Sequence, residues 1–335
     1  MRDLSEVLKS CTNLHWLRPD NALWVYSFYE AFADVTQKTM LSGKRTMDLG
    51  CGDGTTSFIM LDGVFGSEFD VFHDIQASQP NIQPDLRRSD SGSLYDEAGD
   101  FYNTYSEKWS NYLSIVQPTE FKYDYGTDWK ESLLKKADTL GAYKSLSHHD
   151  ANLSLPFEDS SFDYVFSTII YWLDDTQKAM CDIARILDKD GVFAFSCPNE
   201  FIPNYTLKSM LKDLNYPEMD VLDRGRDANW VRHARSRQEW EKEIKTAGLR
   251  ILDYKEFHSS LQIMLGETTI RTLIRAYNVL YERLLPDHED IFMEFKTAYV
   301  EEMYKLLLPF ADKTWVNQKH NPALYHAFVV QKPYA

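Results

Sequence analysis

The fold is decided by the stretch Thr46-Met47-Asp48-Leu49-Gly50-Cys51-Gly52-Asp53-Gly54. An acidic residue ends a short apolar run, and glycines then recur at every second position before residues 55–61, which are typical of a helix start. Glycine lacks a Cβ, so such a turn is free to adopt positive φ and to let a ligand lie against its backbone. The spacing Asp-x-Gly-x-Gly-x-Gly differs from the Gly-x-Gly-x-x-Gly of dinucleotide sites, which argues against a nicotinamide enzyme.

Composition and net charge argue against several classes of partner. The 335 residues carry a formal net charge of -15, which repels phosphate backbones and anionic membrane surfaces, so we expect no nucleic-acid and no membrane partner. The sequence has no run of about 18 apolar residues, the length needed for a membrane span. The four cysteines form no Cys-x-x-Cys pair and no zinc pattern. Residues 1–11 do not resemble a secretory signal, so we expect a reduced, cytoplasmic protein without a metal.

Two stretches compete for the strand that should follow the glycine turn and its helix. Residues 69–74, ending in Asp74, lie at an ordinary distance, whereas residues 121–128, ending in Asp128, come much later. The later stretch leads into an amphipathic helix at residues 130–137, and strand, acidic residue, helix is the order that the fold requires. We therefore predict the second strand at 121–128.

That assignment leaves a long, loop-like insertion over residues 63–119, with a helical part at 95–113. Downstream, short apolar strands alternate with helices, which implies a parallel sheet covered on both faces. Ser236 and Glu239 have capping-box spacing. The predicted elements are strands at 142–152, 164–167, 192–195, 249–254 and 323–331, a turn at 188–191, and helices at 176–187, 236–248, 268–285 and 289–308.

Four motifs stand in a fixed order over residues 44–200: Asp48-x-Gly50-x-Gly52-x-Gly54, Gly126-Thr127-Asp128, Asp150-Ala151 before Leu155-Pro156-Phe157, and Ser161-Phe162-Asp163 before an apolar strand. As a set they resemble the motifs of the class I S-adenosylmethionine-dependent methyltransferases of small-molecule type, with a methyltransferase-11-like core. One further run, residues 186–192, resembles the family's leucine-lysine-proline-glycine-glycine turn, with Asp190 where glycine is usual.

The resemblance implies an α/β fold: a Rossmann-like, seven-stranded, mostly parallel sheet with helices on both faces and the last strand antiparallel. It also implies S-adenosyl-L-methionine as cofactor and S-adenosyl-L-homocysteine as product. The predicted organisation is a single methyltransferase domain over residues 1–335, with an N-terminal helical lid at 1–40, the insertion at 63–119 and a helical insertion at 265–315 between the last two strands.

Cofactor contacts follow from the same resemblance. Asp48 would meet the ligand ammonium, Asp128 would take both ribose hydroxyls, and Asp150 would accept from the adenine amino group. The aromatic-rich segment that follows Trp16, with Asp20 as helix cap, is either a helix packed on the sheet edge or a lid that reaches the cofactor. The predicted cofactor-binding residues are Asp48, Gly50, Cys51, Gly52, Asp128, Trp129, Asp150, Ala151, Ser167, Arg18 and Trp24.

Methyl transfer from a sulfonium carbon requires mainly the alignment of nucleophile, methyl and sulfur, and a general base only where the acceptor loses a proton. The candidates for acceptor positioning or base are Tyr171, Asp174 and His233; each is also compatible with a purely structural role. Members of this superfamily often carry a histidine where Tyr171-Trp172 stands here, so the base stays open.

The sequence argues against some methyl acceptors. No Asp/Asn-Pro-Pro-Tyr motif follows the fourth strand, which disfavours adenine-N6 and glutamine methylation, and no Pro-Cys nucleophile stands there for cytosine-C5 methylation. We predict methyl transfer to O, N or C of a small-molecule metabolite in biosynthesis. A non-catalytic cofactor-binding subunit and a protein-modifying enzyme stay open as alternatives, as does the choice between monomer and homodimer.

Overall fold

A seven-stranded sheet forms the centre of the computed structural model, which describes residues 2–36, 41–72, 105–214, 231–266, 287–318 and 320–333. In chain order its strands are β1 (Thr46–Leu49), β4 (Tyr123–Asp128), β5 (Tyr143–His148), β6 (Phe162–Ser167), β7 (Leu187–Pro198), β8 (Arg250–Ser259) and β9 (Ala323–Gln331), while β2 (Val64–Phe65) and β3 (Ile115–Gln117) form a separate antiparallel pair.

The strand order across the main sheet is β5-β4-β1-β6-β7-β9-β8. The first five strands in that order are parallel to one another, and β9 runs antiparallel to both β7 and β8. The predicted fold class is therefore confirmed. Because the carboxyl ends of parallel strands share one edge, Leu49, Asp128, His148 and Ser167 all end their strands on the same side.

Helices cover both faces of the sheet, as the alternation of strands and helices predicts. Single-turn 3-10 helices lie at Ile170–Trp172, Ile202–Asn204, Lys212–Leu214 and Lys313–Trp315. The α-helices are α1 (Leu4–Leu14), α2 (Pro19–Thr36), α3 (Thr55–Met60), α4 (Glu107–Tyr112), α5 (Glu131–Thr139), α6 (Thr176–Ile186), α7 (Leu207–Met210), α8 (Arg237–Thr246), α9 (Ser260–Leu265) and α10 (Glu289–Ala311).

Side chains alternate across β6 and thereby supply both halves of the core. Val165 belongs to the cluster that contains Met180 of α6 and Trp240 of α8. Phe166 points to the other face, where its ring lies edge-on to Phe32 of α2 at 5.6 Å between centroids. Both faces of this central strand are therefore dry.

The second strand of the sheet is β4, which pairs with β1 so that Asp48 lies opposite Gly126. The prediction at residues 121–128 is thus confirmed, while residues 69–72 form no strand and Asp74 lies outside the described residues. The predicted insertion is only partly loop-like, because β2, β3 and α4 form its described ends. Of its helical part at 95–113, the structure describes α4.

Several local predictions need correction. The turn expected at residues 188–191 is a bend inside one long strand, β7, and Asp190 takes φ +59° there, the left-handed conformation for which glycine is favoured. Helix α2 begins at Pro19, so Asp20 lies in its first turn and is not its cap. The helix predicted at 268–285 lies outside the described residues. The capping box of Ser236 and Glu239 is present as predicted.

The two N-terminal helices are built into the core. Leu8 and Leu14 of α1 and Leu23 and Phe28 of α2 are almost completely buried, and α2 packs against α3, β8 and α10. Of the two interpretations of this segment, these contacts favour a helix packed on the sheet.

Candidate active site

The glycine turn lies at the carboxyl edge of β1 and is tied to the end of β4. The N–H groups of Gly50 and Cys51 both donate to the carbonyl of Thr127, at 2.8 and 2.9 Å. Gly50, Gly52 and Gly54 have φ values of +77°, +57° and +76°, so the alternating glycines serve the backbone conformation itself.

The surroundings differ sharply between two of these glycines. A Cβ on Gly52 would meet nothing within 4 Å, whereas a Cβ on Gly50 would collide with the side chain of Ile169. The open backbone that a ligand can approach is therefore at Gly52. A side chain at Gly50 would first disturb the packing against Ile169, so Gly50→Val is no clean test of ligand approach.

Asp128 stands directly beside this open position. Its Oδ2 accepts a hydrogen bond from the Gly52 N–H at 3.0 Å, and its Oδ1 accepts from the Lys130 N–H at 2.9 Å. Burial raises the pKa of this carboxyl above its ordinary value, against the opposing effect of the backbone donors. A carboxylate held rigidly next to an accessible turn is suited to accept hydrogen bonds from a pair of hydroxyls.

Asp48 lies beneath the turn. It is 2% exposed, and its Oδ2 accepts from Ser57 Oγ at 2.5 Å and from the Tyr143 hydroxyl at 2.7 Å. Burial raises its pKa to about 6, with these two hydrogen bonds opposing the shift. These contacts hold the turn from below and do not bring the carboxylate to the ligand side. Asp53, which the sequence interpretation passed over, is only partly buried on the turn itself.

The predicted adenine contacts lie at the neighbouring strand end. Asp150 follows β5, is exposed, and accepts through Oδ1 from the backbone and side-chain amides of Asn152 at 2.9 and 3.0 Å. The backbone joins the two acids, because the His149 N–H donates to the Asp128 carbonyl. Trp129 is half-buried beneath the Lys130 ammonium, and Ala151 is half-buried next to Asp150.

Two further predicted cofactor residues are occupied elsewhere. Ser167 is fully buried, and its Oγ donates to the Leu49 carbonyl and accepts from the Ile169 N–H, so it bridges two strand ends. Arg18 is 7% exposed and forms an ion pair with Asp20 at 2.5 Å. Neither side chain is presented to a ligand. Cys51 is buried within the turn, and burial raises its thiol pKa well above the ordinary value.

An aromatic cluster lies at the same carboxyl edge; it consists of Trp24, Tyr171, Phe257, His258 and Tyr325. Tyr325 is central, with its ring 4.4 Å from Trp24 and 5.9 Å from Tyr171, centroid to centroid. The sequence indicated Trp24 and Tyr171 but not the other three residues. Those three lie on β8 and β9, and they reach this edge because β9 runs antiparallel to β7 and β8.

His258 is the most constrained member of the aromatic cluster. It has φ +55°, a conformation that costs free energy in a non-glycine residue, and its Nδ1 lies 3.3 Å from Ser27 Oγ. Burial lowers its pKa to about 3. The ring is therefore uncharged at neutral pH.

The three predicted catalytic residues are separated. Tyr171 belongs to the aromatic cluster and is 5% exposed, and His233 is 2% exposed. Asp174 is exposed and engaged in an ion pair with Arg232 at 3.0 Å, while Arg232 also donates to the Asp174 carbonyl. This pair fastens the segment that carries His233 and leaves Asp174 in solvent, so a role for Asp174 in proton transfer finds no support.

The donor set at the edge fits the predicted cofactor. Open backbone at Gly52 next to a fixed carboxylate, Asp128, accommodates a nucleoside with its ribose hydroxyls at the acid. Within the described ranges no group of three or more His, Cys, Asp or Glu side chains is arranged to hold a metal ion. Among those same residues no helix has the length and apolar character for a membrane crossing.

Residues 111–195 match a family model described as a methyltransferase domain. The match runs from the end of α4 into β7, so it begins inside the predicted insertion of residues 63–119 and does not include the glycine turn. Together with the sheet order and that turn, this match supports a methyltransferase domain of the class I S-adenosylmethionine-dependent kind. The chain is thus an enzyme that takes its methyl group from S-adenosylmethionine.

Solved structures that are similar to this chain have low identity to it. The [4+2]-cyclase SpnF is 12% identical with a TM-score of 0.43, over 94% of this chain and 83% of its own. A candidate sarcosine dimethylglycine methyltransferase from Galdieria sulphuraria is 13% identical with a TM-score of 0.43, over 95% and 85%. The Haloferax volcanii complex of the Trm112 methyltransferase activator with a candidate methyltransferase is 15% identical with a TM-score of 0.39. The match covers 92% of this chain and 99% of that chain. No curated protein sequence matches the chain.

Proposed function

We propose that this methyltransferase acts on an O, N or C atom of a small-molecule metabolite, by in-line displacement at the methyl carbon. The observation that carries the proposal is the aromatic cluster. It stands on the same edge of the sheet as Gly52 and Asp128, where an acceptor must meet the methyl group. Apolar and aromatic walls with few polar groups are typical of sites that enclose small ligands.

The residues at this edge would have separate roles in cofactor binding and acceptor orientation. The Gly52 backbone and the Asp128 carboxylate would bind the nucleoside, and Asp150 would accept from its adenine. The bound cofactor supplies the activated methyl group, so the protein's remaining tasks are to orient the acceptor and to exclude water. Tyr171 and Trp24 supply the rings for both tasks.

His233 is the proposed proton acceptor for substrates that must lose a proton. It is buried on the segment that the Arg232–Asp174 ion pair fastens at the end of the sheet. Tyr171 would orient the nucleophile. This division gives Asp174 a positioning role, so Asp174→Asn should lower turnover less than His233→Ala and should leave cofactor affinity unchanged.

The net charge of -15 and the packed rings weigh against a macromolecular acceptor. A nucleic acid would need a basic track, and a protein side chain would need an open groove at this edge. Within the part of the chain that the structure describes, the edge presents rings in mutual contact. A metabolite is the acceptor that this surface favours.

The test combines ligand binding with product analysis. Calorimetric titration should show binding of S-adenosylhomocysteine and none of NAD. The enzyme is then incubated with S-adenosylmethionine and panels of metabolites, and products are sought by mass spectrometry as a gain of one CH₂. Asp128→Ala serves as the control variant that should yield no product.

Two outcomes would overturn the proposal. Transfer of an isotopically labelled methyl group into a protein or nucleic-acid fraction, and not into metabolites, would identify a macromolecular acceptor. Binding of S-adenosylhomocysteine without transfer to any tested fraction would favour a non-catalytic subunit.

A further inference from the structure

The backbone of β8 turns one histidine, His258, into the aromatic cluster. In a regular strand successive side chains point to opposite faces of the sheet. Near the end of β8, however, the rings of Phe257 and His258 both lie against Trp24, at 6.0 and 4.7 Å between centroids. Both also lie against Tyr325, at 5.8 and 5.9 Å. The left-handed φ of +55° at His258 breaks the alternation and brings the imidazole to the side of the other rings.

The hydrogen bonds around His258 decide which ring nitrogen carries the proton. The Ser27 hydroxyl donates its single proton to the Leu23 carbonyl at 2.7 Å. Towards His258 Nδ1, which lies 3.3 Å away, Ser27 Oγ can therefore only accept, so Nδ1 carries a proton. Burial lowers the pKa of His258 to about 3, so the ring is neutral at neutral pH and Nε2 has a lone pair in place of a proton.

Nε2 is thus a hydrogen-bond acceptor within the aromatic cluster. His258 is 4% exposed, and among the residues that the structure describes Nε2 has no hydrogen-bond donor. An acceptor of a buried side chain that lacks a donor costs free energy. A non-glycine residue in the left-handed conformation adds to that cost, and such residues are concentrated at sites that bind ligands. Both features point to a ligand that donates a hydrogen bond to this nitrogen.

We propose that His258 binds the methyl acceptor by accepting, at Nε2, a hydrogen bond from the O–H or N–H group that is to be methylated. The rings of Trp24, Phe257 and Tyr325 offer apolar contacts around that nitrogen, which suits a substrate with a flat, apolar body. The acceptor is then an alcohol, a phenol or an amine. The inference rests on the metabolite acceptor proposed above and narrows it to O- and N-methylation.

The task of His258 in this arrangement is orientation. An imidazole with a pKa of about 3 is too weak a base to take a proton from an alcohol or an amine at neutral pH, but its lone pair still holds the donor in place. Alignment of the nucleophile with the methyl group is the main requirement for this reaction. His233 stays the proposed proton acceptor.

Two small probes that differ in one group provide the test. Phenol and fluorobenzene have nearly the same shape, and only phenol donates a hydrogen bond. Both are titrated into the full-length protein saturated with S-adenosylhomocysteine, and binding is followed by NMR. In the wild type we expect the resonance of His258 Nε2 to shift on addition of phenol and to stay nearly unchanged with fluorobenzene.

Two variants remove Nε2 in different ways. His258→Phe keeps an aromatic ring in the cluster. His258→Asn tolerates a left-handed backbone, and its short amide reaches Ser27 but not the position of Nε2. In both we expect the dissociation constant for phenol to rise about threefold to tenfold relative to that for fluorobenzene, the loss of one neutral hydrogen bond. His258→Asn also replaces His258→Phe should that variant fail to fold.

His326→Phe is the matched control. His326 is also a buried histidine, but it follows Tyr325 on the opposite face of β9, and its ring nitrogens lie 2.9 Å from the Tyr254 hydroxyl and 3.2 Å from the Arg235 carbonyl. This variant should lose thermal stability and leave the ratio of the two dissociation constants within about twofold of the wild type.

The outcomes decide between orientation and a purely structural role. If both His258 variants weaken phenol and fluorobenzene equally, or neither of them, the proposal is overturned, since a structural role affects both probes alike. A wild-type complex that binds neither probe overturns it as well. Metabolites methylated on carbon would overturn this inference and leave the proposed small-molecule acceptor standing, so the two failures are distinguishable.

Discussion

The buried acid beneath the glycine turn makes stability depend on pH. The pKa of Asp48 is raised from 3.8 to about 6 by burial. Between these values the native protein holds a proton that the unfolded chain has released, so the free energy of unfolding falls as pH rises through this window. At about 1.4 kcal/mol per unit, the loss is at most about 3 kcal/mol.

Asp48→Asn isolates this contribution from those of the other acids. Asparagine keeps an oxygen for Ser57 and Tyr143 but does not ionise. Urea unfolding of both proteins from pH 4 to 7 should show the wild type losing stability relative to the variant as the pH rises. If the difference in unfolding free energy between the two proteins stays constant across this range, the pKa of Asp48 is not raised in the native state.

Asp128 and Asp74 were the two candidates for the ribose acid, and the structure gives the sheet position to Asp128. We expect Asp128→Ala to weaken S-adenosylhomocysteine binding by more than about a hundredfold, because two hydrogen bonds to a charged acceptor are lost. The same variant strands the Gly52 and Lys130 N–H groups, so some loss of stability is expected as well.

Asp74→Ala is the matched control for that experiment and should bind S-adenosylhomocysteine within about twofold of the wild type. Calorimetric titration of both variants decides between them. Loss of binding in Asp74→Ala with retention in Asp128→Ala would mean that the ribose acid had been assigned to the wrong strand.

At the residue scale, sequence reasoning predicted the placement of residues where that placement depends on a local motif. The glycine turn and Asp128 stand side by side as the order of motifs predicts. Ser167 and Arg18 stay predictions as cofactor residues; in the structure their polar atoms bond to Leu49 and Asp20, partners that no motif indicates.

At the scale of elements, one buried ion pair joins α10 to the N-terminal half of the chain. Lys296 of α10 and Asp70 lie 2.8 Å apart and are 1% and 0% exposed, and the Trp16 indole N–H also donates to Asp70. Removing one partner of a buried pair leaves an uncompensated charge. Lys296→Met should therefore destabilise the protein by about 3–5 kcal/mol.

Two further variants test that explanation. Lys305→Met removes an exposed lysine of the same helix from its pairs with Glu301 and Glu302, and should cost less than about 1 kcal/mol. Asp70→Asn combined with Lys296→Met should recover part of the lost stability, because the orphaned charge is gone. Equal losses in the single and the double variant would contradict the electrostatic explanation.

Elements were predicted well where their signals are local. The capping box of α8 and the bounds of β9 were read from the sequence as they stand in the structure. The length of β7 was not, because residues 188–191 carry turn chemistry but lie inside a strand whose flanking residues, Leu187 and Val192, pair with β6. Tertiary pairing overrides local preference in such cases.

At the scale of the whole molecule, the question is whether α1 and α2 form a lid or a part of the folding unit. A lid must leave its site without exposing core, yet Phe28 and Phe32 are fully buried and Phe32 lies against Phe166 of the central strand. Lys255 of β8 also forms an ion pair with Asp34 of α2 at 2.8 Å. These contacts predict that the N-terminal segment unfolds together with the sheet.

The variant Phe32→Ala tests whether the N-terminal helices and the sheet unfold in one cooperative transition. Truncation of a buried phenylalanine costs about 3–5 kcal/mol when the site is part of the cooperative core. We expect urea unfolding to stay a single transition at a lower midpoint, by both tryptophan fluorescence and circular dichroism, since coincident probes indicate two-state behaviour. Phe201→Ala, at a ring that is 48% exposed, is the control and should change stability by less than about 1 kcal/mol. An early fluorescence transition with an unchanged main transition would show that α1 and α2 open separately, as a lid would.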